Sequence, residues 1–148
     1  MKDQNRKTTI RIHNLNVKID LPENIENDIR TVAKATFDQE KFFGSYQLSI
    51  VLTSDEEIKE MNLRYLQKDR TTDVMCFPYA TGKQVQSDIF ISVDSAQAQA
   101  EQYTHTIKQE ILFLVIHGIL HLIGWNDDSD GRRNQMWGRQ EQILKSVC

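Results

Sequence analysis

Two periods of hydrophobic recurrence run along this chain, and the switches between them mark its elements. Thr8–Val17 (TTIRIHNLNV) alternates in part and predicts an opening strand or hairpin. Pro22 then opens a predicted helix running to about Phe37, with Ile25, Ile29 and Val32 spaced for one apolar face. Tyr46–Leu52 (YQLSIVL) reads as a buried strand. Thr53 and Ser54 are both candidate caps for the helix that follows, with Glu56 and Glu57 in its first turn and Ile58, Met61 and Tyr65 along it. Asp73–Phe77 predicts a short strand ended by Pro78, Tyr79–Ser87 a loop containing Gly82, and Asp88–Val93 an alternating strand. Asp94 or Ser95 caps a helix through Tyr103. A further helix is predicted from about Thr106 to Ile123 and a last one from about Asp130 to Lys145, with Asp128, Ser129 and Asp130 competing as its cap. Strands and helices interleave. The expectation is one α+β domain over residues 1–148, a four-stranded, mostly parallel mixed sheet with about five helices.

The Thr106–Ile123 helix carries the candidate chemistry. Its run Ile111–Ile116 is wholly apolar, so most of its sides should be buried. His117 and His121 follow one turn apart on one face, and both imidazoles could reach one ion at roughly 2.0–2.1 Å. Gly124 predicts the helix stop by conformation, because glycine accepts the left-handed region without steric cost. A chain reversed there would bring Asp127 back as a third ligand. Three protein ligands with one open position is the catalytic arrangement, whereas structural sites close with four. A bland reading also exists, since a buried helical histidine pair can simply satisfy hydrogen bonds in a core. The added offsets of Gly124 and Asp127 favour a divalent ion, Zn²⁺ first, in a metal-dependent hydrolase.

Composition changes this picture little. The chain has 148 residues, 39% hydrophobic and 26% charged, which suits a globular domain large enough for a core. The start, MKDQNRK, is polar, with no signal-peptide pattern, and Ile111–Gly124 is too short to span a bilayer. A cytoplasmic location without membrane contact is expected. Cys76 and Cys148 lack metal-ligand spacing and are expected to be free thiols. A net charge of −3 gives no general pull toward nucleic acid, so any RNA contact must use a local patch.

Three blocks carry a family resemblance. HGILHLIGWND (117–127) resembles the HGxLHLxGxxx signature of the YbeY family, bacterial metal-dependent endoribonucleases of ribosomal RNA maturation. MNLRYLQKDRTTDVMCFP (61–78) resembles the family's LNxxYRxKDxxTDVLSFP block, and SDIFIS (87–92) its GDIxIS strand. The resemblance spans about residues 45 to 145. It implies a zincin-like metal site on a central buried helix, cleavage of single-stranded RNA, a role in ribosome quality control, and the small ribosomal subunit as partner. The nucleophile would be a metal-bound water; no general base is assigned. Two departures stand out. The family ends its signature with a third histidine where this chain has Asp127, preceded by Asn126 rather than aspartate. The added negative charge is expected to leave a bound water less acidic. The family also has an arginine where this chain has Leu66.

Neighbouring residues supply the alternatives. Gly118 stands where the metalloprotease pattern H-E-x-x-H needs its glutamate, which argues against a metalloprotease-like hydrolase. A mid-helix glycine costs roughly 1 kcal/mol; room for substrate or close approach of a strand could offset it. Glu110 is expected at the surface or behind the site, and His105 is a rival ligand disfavoured by the helix-end geometry. Arg64, Lys68 and Arg70 are candidate phosphate contacts, with a solvated helix end as the bland alternative. Arg132, Arg133 and Arg139 form a second basic stretch, screened by Asp127, Asp128 and Asp130. Trp125 and Trp137 are expected in the core or site wall rather than as stacking platforms. Set against the nuclease is a ribosome-assembly factor with a structural metal and weak catalysis.

Overall fold

Side-chain alternation decides the sheet. The computed structural model describes residues 6–66 and 73–147, with Leu66 described by its backbone alone. Its four strands are β1 (Thr8–Asn14), β2 (Ser45–Thr53), β3 (Val74–Ala80) and β4 (Gln84–Ser92). On β2, Tyr46, Leu48, Ile50 and Leu52 are buried, while Gln47, between the first two, is exposed. On β4, Val85, Ile89 and Ile91 point inward and Gln84 and Gln86 outward. The strand order is β1-β2-β4-β3. β1, β2 and β4 run parallel, and β3 joins antiparallel at one edge. Register lines up Ile12, Ile50, Ile89 and Cys76 as one row across all four strands.

Five α-helices complete the fold: α1 (Ile25–Gln39), α2 (Asp55–Met61), α3 (Val93–Tyr103), α4 (Ile107–Leu122) and α5 (Asp130–Val147). α4 is the central one. It packs on β3 and β4 and is flanked by α1, α3 and α5. Ile111 through Ile116 are all buried, so the helix is apolar on every side through that stretch. Each fully buried side chain of this kind contributes roughly 1.5–3 kcal/mol. Thr106 starts α4 with a complete capping box, its hydroxyl accepting from Gln109 N–H while the Gln109 side chain accepts from Thr106 N–H. Among the described residues, no helix is long and apolar enough to cross a membrane.

Gly118 is explained by this packing. A Cβ there would stand 3.2 Å from Ile89 Cγ2 and 3.5 Å from Cys76 Sγ. Close approach of the sheet, not room for a substrate, offsets the helical cost of the glycine.

Several boundaries differ from those read in the sequence, each for a physical reason. β1 ends at Asn14 rather than Val17 and pairs parallel to β2, so it opens no hairpin. α1 begins at Ile25 rather than Pro22, because Asn24 sits in the left-handed region at φ 63°. Ser54 caps α2, and the expected run through Tyr65 loosens into a π-helical turn at Asn62–Leu66. Pro78 does not end β3. The strand is an edge strand, where a missing N–H is tolerated, and it continues to Ala80. Most of the expected Tyr79–Ser87 loop is strand, since β4 begins at Gln84. Ser92 caps α3 in place of Asp94 or Ser95. Of the three candidates before α5, Ser129 accepts from Arg132 N–H.

Candidate metal centre

α4 ends in a way that its last residues dictate. Gly124 takes φ 110°, the conformation that turns the chain out of the helix. Its N–H donates to the His121 carbonyl at 3.2 Å, and Trp125 N–H donates to the Leu120 carbonyl at 2.9 Å. That pair of bonds is a Schellman C-cap. The chain leaves in reverse, and Asp127 returns over the end of the helix. Its Oδ2 lies 3.4 Å from His121 Nε2 and 3.9 Å from His117 Nε2, and the two Nε2 atoms are 3.1 Å apart. Donors on a tetrahedral ion at 2.0–2.1 Å stand about 3.3 Å from one another. The three side chains could therefore hold one metal ion, and they are the only such group among the described residues.

Hydrogen bonding fixes which ring nitrogens face the centre. His121 Nδ1 lies 3.1 Å from the Trp125 carbonyl, which can only accept, so Nδ1 carries the proton. His117 Nδ1 lies 3.1 Å from Gln140 Oε1. The amide of Gln140 is itself oriented, because its Nε2 donates to the Phe113 carbonyl at 3.3 Å. His117 thus donates from Nδ1 as well. In the neutral rings both Nε2 atoms are lone pairs, turned toward each other and toward a carboxylate. Three acceptors converging without a donor suit a cation. Burial holds the His117 pKa below the usual histidine range, against the Gln140 bond, which raises it; the charge of His121 lowers it further, and Asp73 and Asp127 push upward. The ring is kept in the form that binds metal.

The loop after the helix is braced from outside. The Trp125 indole N–H donates to Glu40, and Arg139 Nε donates to the other oxygen of the same carboxylate at 2.6 Å. Trp125 belongs to the support of the site, as expected of a wall residue.

A pocket of about 180 Å³ opens beside the centre. His117, Asp127 and Gln140 line it, together with Asp73, Gln99 and Arg133. Asp73 Oδ2 accepts from Gln99 Nε2 at 3.1 Å. Arg133 pairs with Asp130 at 2.9 Å and remains well exposed.

The sequence-derived residues distribute as follows. His117, His121 and Asp127 come together. Arg64 pairs with Glu60 at 3.0 Å on an exposed helical face and is not among the pocket-lining residues. Lys68 and Arg70 lie outside the described residues, as does Cys148. Cys76 is free, its thiol pushed up to about 12 by burial, and Sγ sits 3.8 Å from the Gly118 carbonyl. Glu110 is not at the surface. It is 1% exposed and pairs with His105 at 3.0 Å, which takes His105 away from the centre. The sequence reading missed Gln140, Asp73 and Gln99. Gln140 alone left a signal, as a polar residue in register with buried Met136, Ile143 and Leu144 on α5.

Comparison with known proteins follows the same lines. Residues 11–148 match the family model described as endoribonuclease YbeY. Curated relatives called endoribonuclease YbeY include those of Acetivibrio thermocellus, 33% identical with 92% of this chain and 94% of that protein covered, and Halalkalibacterium halodurans, 36% identical with 88% and 95% covered. The Carboxydothermus hydrogenoformans protein is 36% identical, with 92% and 95% covered. A solution structure from Thermotoga maritima superposes with a TM-score of 0.62 at 29% identity, covering 94% of this chain and 89% of that one.

Proposed function

The chain belongs to the endoribonuclease YbeY family, and from that premise we propose that it cuts single-stranded RNA using one Zn²⁺ ion held by His117, His121 and Asp127. Ribosomal RNA is the substrate assigned, the small ribosomal subunit the partner, and the cytoplasm the setting. The two convergent Nε2 lone pairs, 3.1 Å apart beside a carboxylate, are the observation that carries the metal reading. Two nitrogens and one oxygen are a donor set that zinc favours. When bound, the ion supplies Lewis acidity toward a phosphoryl oxygen and makes a water more acidic.

The protein's own groups supply the rest. Gln140 and the Trp125 carbonyl hold the two rings in the tautomer and orientation that a ligand needs. Asp73 lines the pocket without belonging to the ligand group, and we assign it the acceptance of a proton. The Gln99 amide donates to Oδ2 of that carboxylate, and the other oxygen is the one assigned this task. Arg133, at the pocket rim, is assigned the phosphate next to the cut. Arg64, Lys68 and Arg70 are assigned contacts to the phosphates of the RNA backbone. A purely structural ion would be closed by a fourth protein ligand, and none joins the group among the described residues. Gly118, in place of a glutamate, disfavours peptide hydrolysis of the H-E-x-x-H kind.

The test measures metal content and cleavage of a defined single-stranded RNA together. One zinc per chain is expected in the wild type, with both zinc and cleavage lost in His121→Ala and Asp127→Ala. Undiminished cleavage in both variants would overturn the mechanism. Full zinc occupancy with no cleavage by the wild type would favour an assembly factor with a structural ion.

A further inference from the structure

One stripe of α5 faces the pocket: Arg133, Met136, Trp137 and Gln140 all line it. Their spacing of three, one and three residues is that of a single helical face. Gln140 holds the metal-site ring of His117, and Arg133 is a cation at the rim. Trp137 lies between them and is 39% exposed, a large aromatic left open beside a polar centre. The Zn²⁺ reading gives it no task.

Its surroundings suit a flat ligand. Phe113 meets it at 4.7 Å between centroids and 61° between planes, and Tyr103 at 5.6 Å and 65°. Neither ring lies parallel on the indole, so neither occupies its stacking geometry. Tyr103 is itself 44% exposed and extends the aromatic surface outward. The indole N–H donates to Glu141 Oε1 at 2.6 Å, which fixes the rotation of the ring before any ligand arrives. A ring already held loses little freedom on binding.

We propose that Trp137, backed by Phe113 and flanked by Tyr103, is a stacking subsite for the unpaired base adjacent to the cut phosphate. The proposal rests on the endoribonuclease reading and deepens it. A pocket of about 180 Å³ has room for one planar ring system. A duplex keeps its bases stacked on one another, whereas a single strand can turn one out onto an aromatic side chain. The subsite therefore selects single strands by shape, with Arg133 on the phosphate one helical turn away from the base. Stacking is tolerant of base identity, so no strong sequence preference is expected from it.

The experiment follows cleavage of a short, fluorescent single-stranded RNA by the zinc-loaded protein. It compares the intact strand with strands carrying one abasic nucleotide, stepped along the sequence. Trp137→Ala is expected to lower kcat/KM on the intact strand about tenfold, mainly through KM. An abasic nucleotide beside the cut should cost the wild type a similar factor and cost Trp137→Ala almost nothing more. Trp137→Phe, which keeps a π-face and a folded helix, should recover most of the activity and respond again to the abasic position. Losses that simply multiply at every abasic position would mean that Trp137 is structural and would overturn the subsite. So would Trp137→Ala activity within twofold of wild type, and in both cases the endoribonuclease reading would stand. A wild-type protein that leaves every strand uncut would bring down that reading and the subsite with it.

Discussion

α4 carries a histidine and carboxylate grouping at each end, and the two behave differently. At the N-terminal end, His105 Nδ1 meets Glu110 Oε1 at 3.0 Å, with the carboxylate 1% exposed in the helix's first turn. A negative charge there also suits the helix dipole. At the C-terminal end, His117 and His121 give their Nδ1 atoms to neutral oxygens, the Gln140 amide and the Trp125 carbonyl. Their Nε2 atoms are left to converge with Asp127. The residue types are the same. What separates a closed structural pair from a metal-ready cluster is which acceptor occupies Nδ1, and whether the carboxylate arrives on the same side as the remaining lone pairs.

Breaking each end in turn gives the largest expected contrast. His121→Ala should remove bound zinc and lower RNA cleavage by about a thousandfold or more, since metal electrostatics supply several kcal/mol to such reactions. His105→Ala should leave zinc content and cleavage within about twofold of wild type. Its effect should fall on stability instead, a loss of about 1–3 kcal/mol in urea unfolding, because Glu110 would be buried without its partner. Equal loss of activity in the two variants would erase the distinction between the ends.

Gln140 sharpens the comparison. Replacing it with leucine keeps a side chain of similar size on the buried face of α5 but removes the acceptor for His117 Nδ1. Zinc affinity, measured by competition with a chelator, should fall about 10- to 100-fold. Unchanged affinity would show that burial alone orients the ring.

How much of this the sequence could reveal follows from distance along the chain. His117, His121, Gly124 and Asp127 lie within one helix end, and local spacing suffices to place them. The C-cap that returns Asp127 is set by Gly124 itself. Gln140 is separated from His117 by another helix boundary, and only its polar character among Met136, Ile143 and Leu144 hinted at a buried task. Asp73 stands just before β3 and Gln99 in α3, and local spacing gave no sign that they share a pocket. The sheet errors have the same origin. Pro78 reads locally as a stop, but whether it is one depends on β3 being an edge, which is a property of strand order. Gln84 and Gln86 read as loop because the alternation that makes them outward-facing strand residues needs Val85 and Ile89 to meet a core.

Gly118 tests the sheet side of the same helix with a smaller expected effect. Gly118→Ala gains up to roughly 1 kcal/mol of helix propensity. Against this, the new methyl would stand 3.2 Å from Ile89, a fully buried residue in the central row of the sheet. Overpacking of this kind costs about 1–3 kcal/mol. The net result should be a loss of about 0–2 kcal/mol, read from the urea midpoint, with zinc still bound. A clear gain in stability would show that β4 yields readily and that the glycine is there for another reason.

The smallest effect is a pH dependence of the metal-free protein. Burial lowers the His117 pKa from the usual 6.5, so the folded state takes up a proton less readily than the unfolded chain. Between the folded value and 6.5 the unfolded state binds more protons, and stability there rises with pH. The contribution is complete above 6.5 and is lost as the pH falls through the folded value. At the other end of the helix the His105–Glu110 pair is present in both the wild type and a His117→Gln variant, so the difference between their profiles isolates the buried ring. Thermal melts of the chelator-treated proteins from pH 8 down to 5 should show the wild type losing stability more steeply than the variant below 6.5. Parallel profiles would mean that His117 is as well solvated in solution as in the unfolded chain, and that the desolvated, neutral ring is no part of what prepares this end of α4 for a cation.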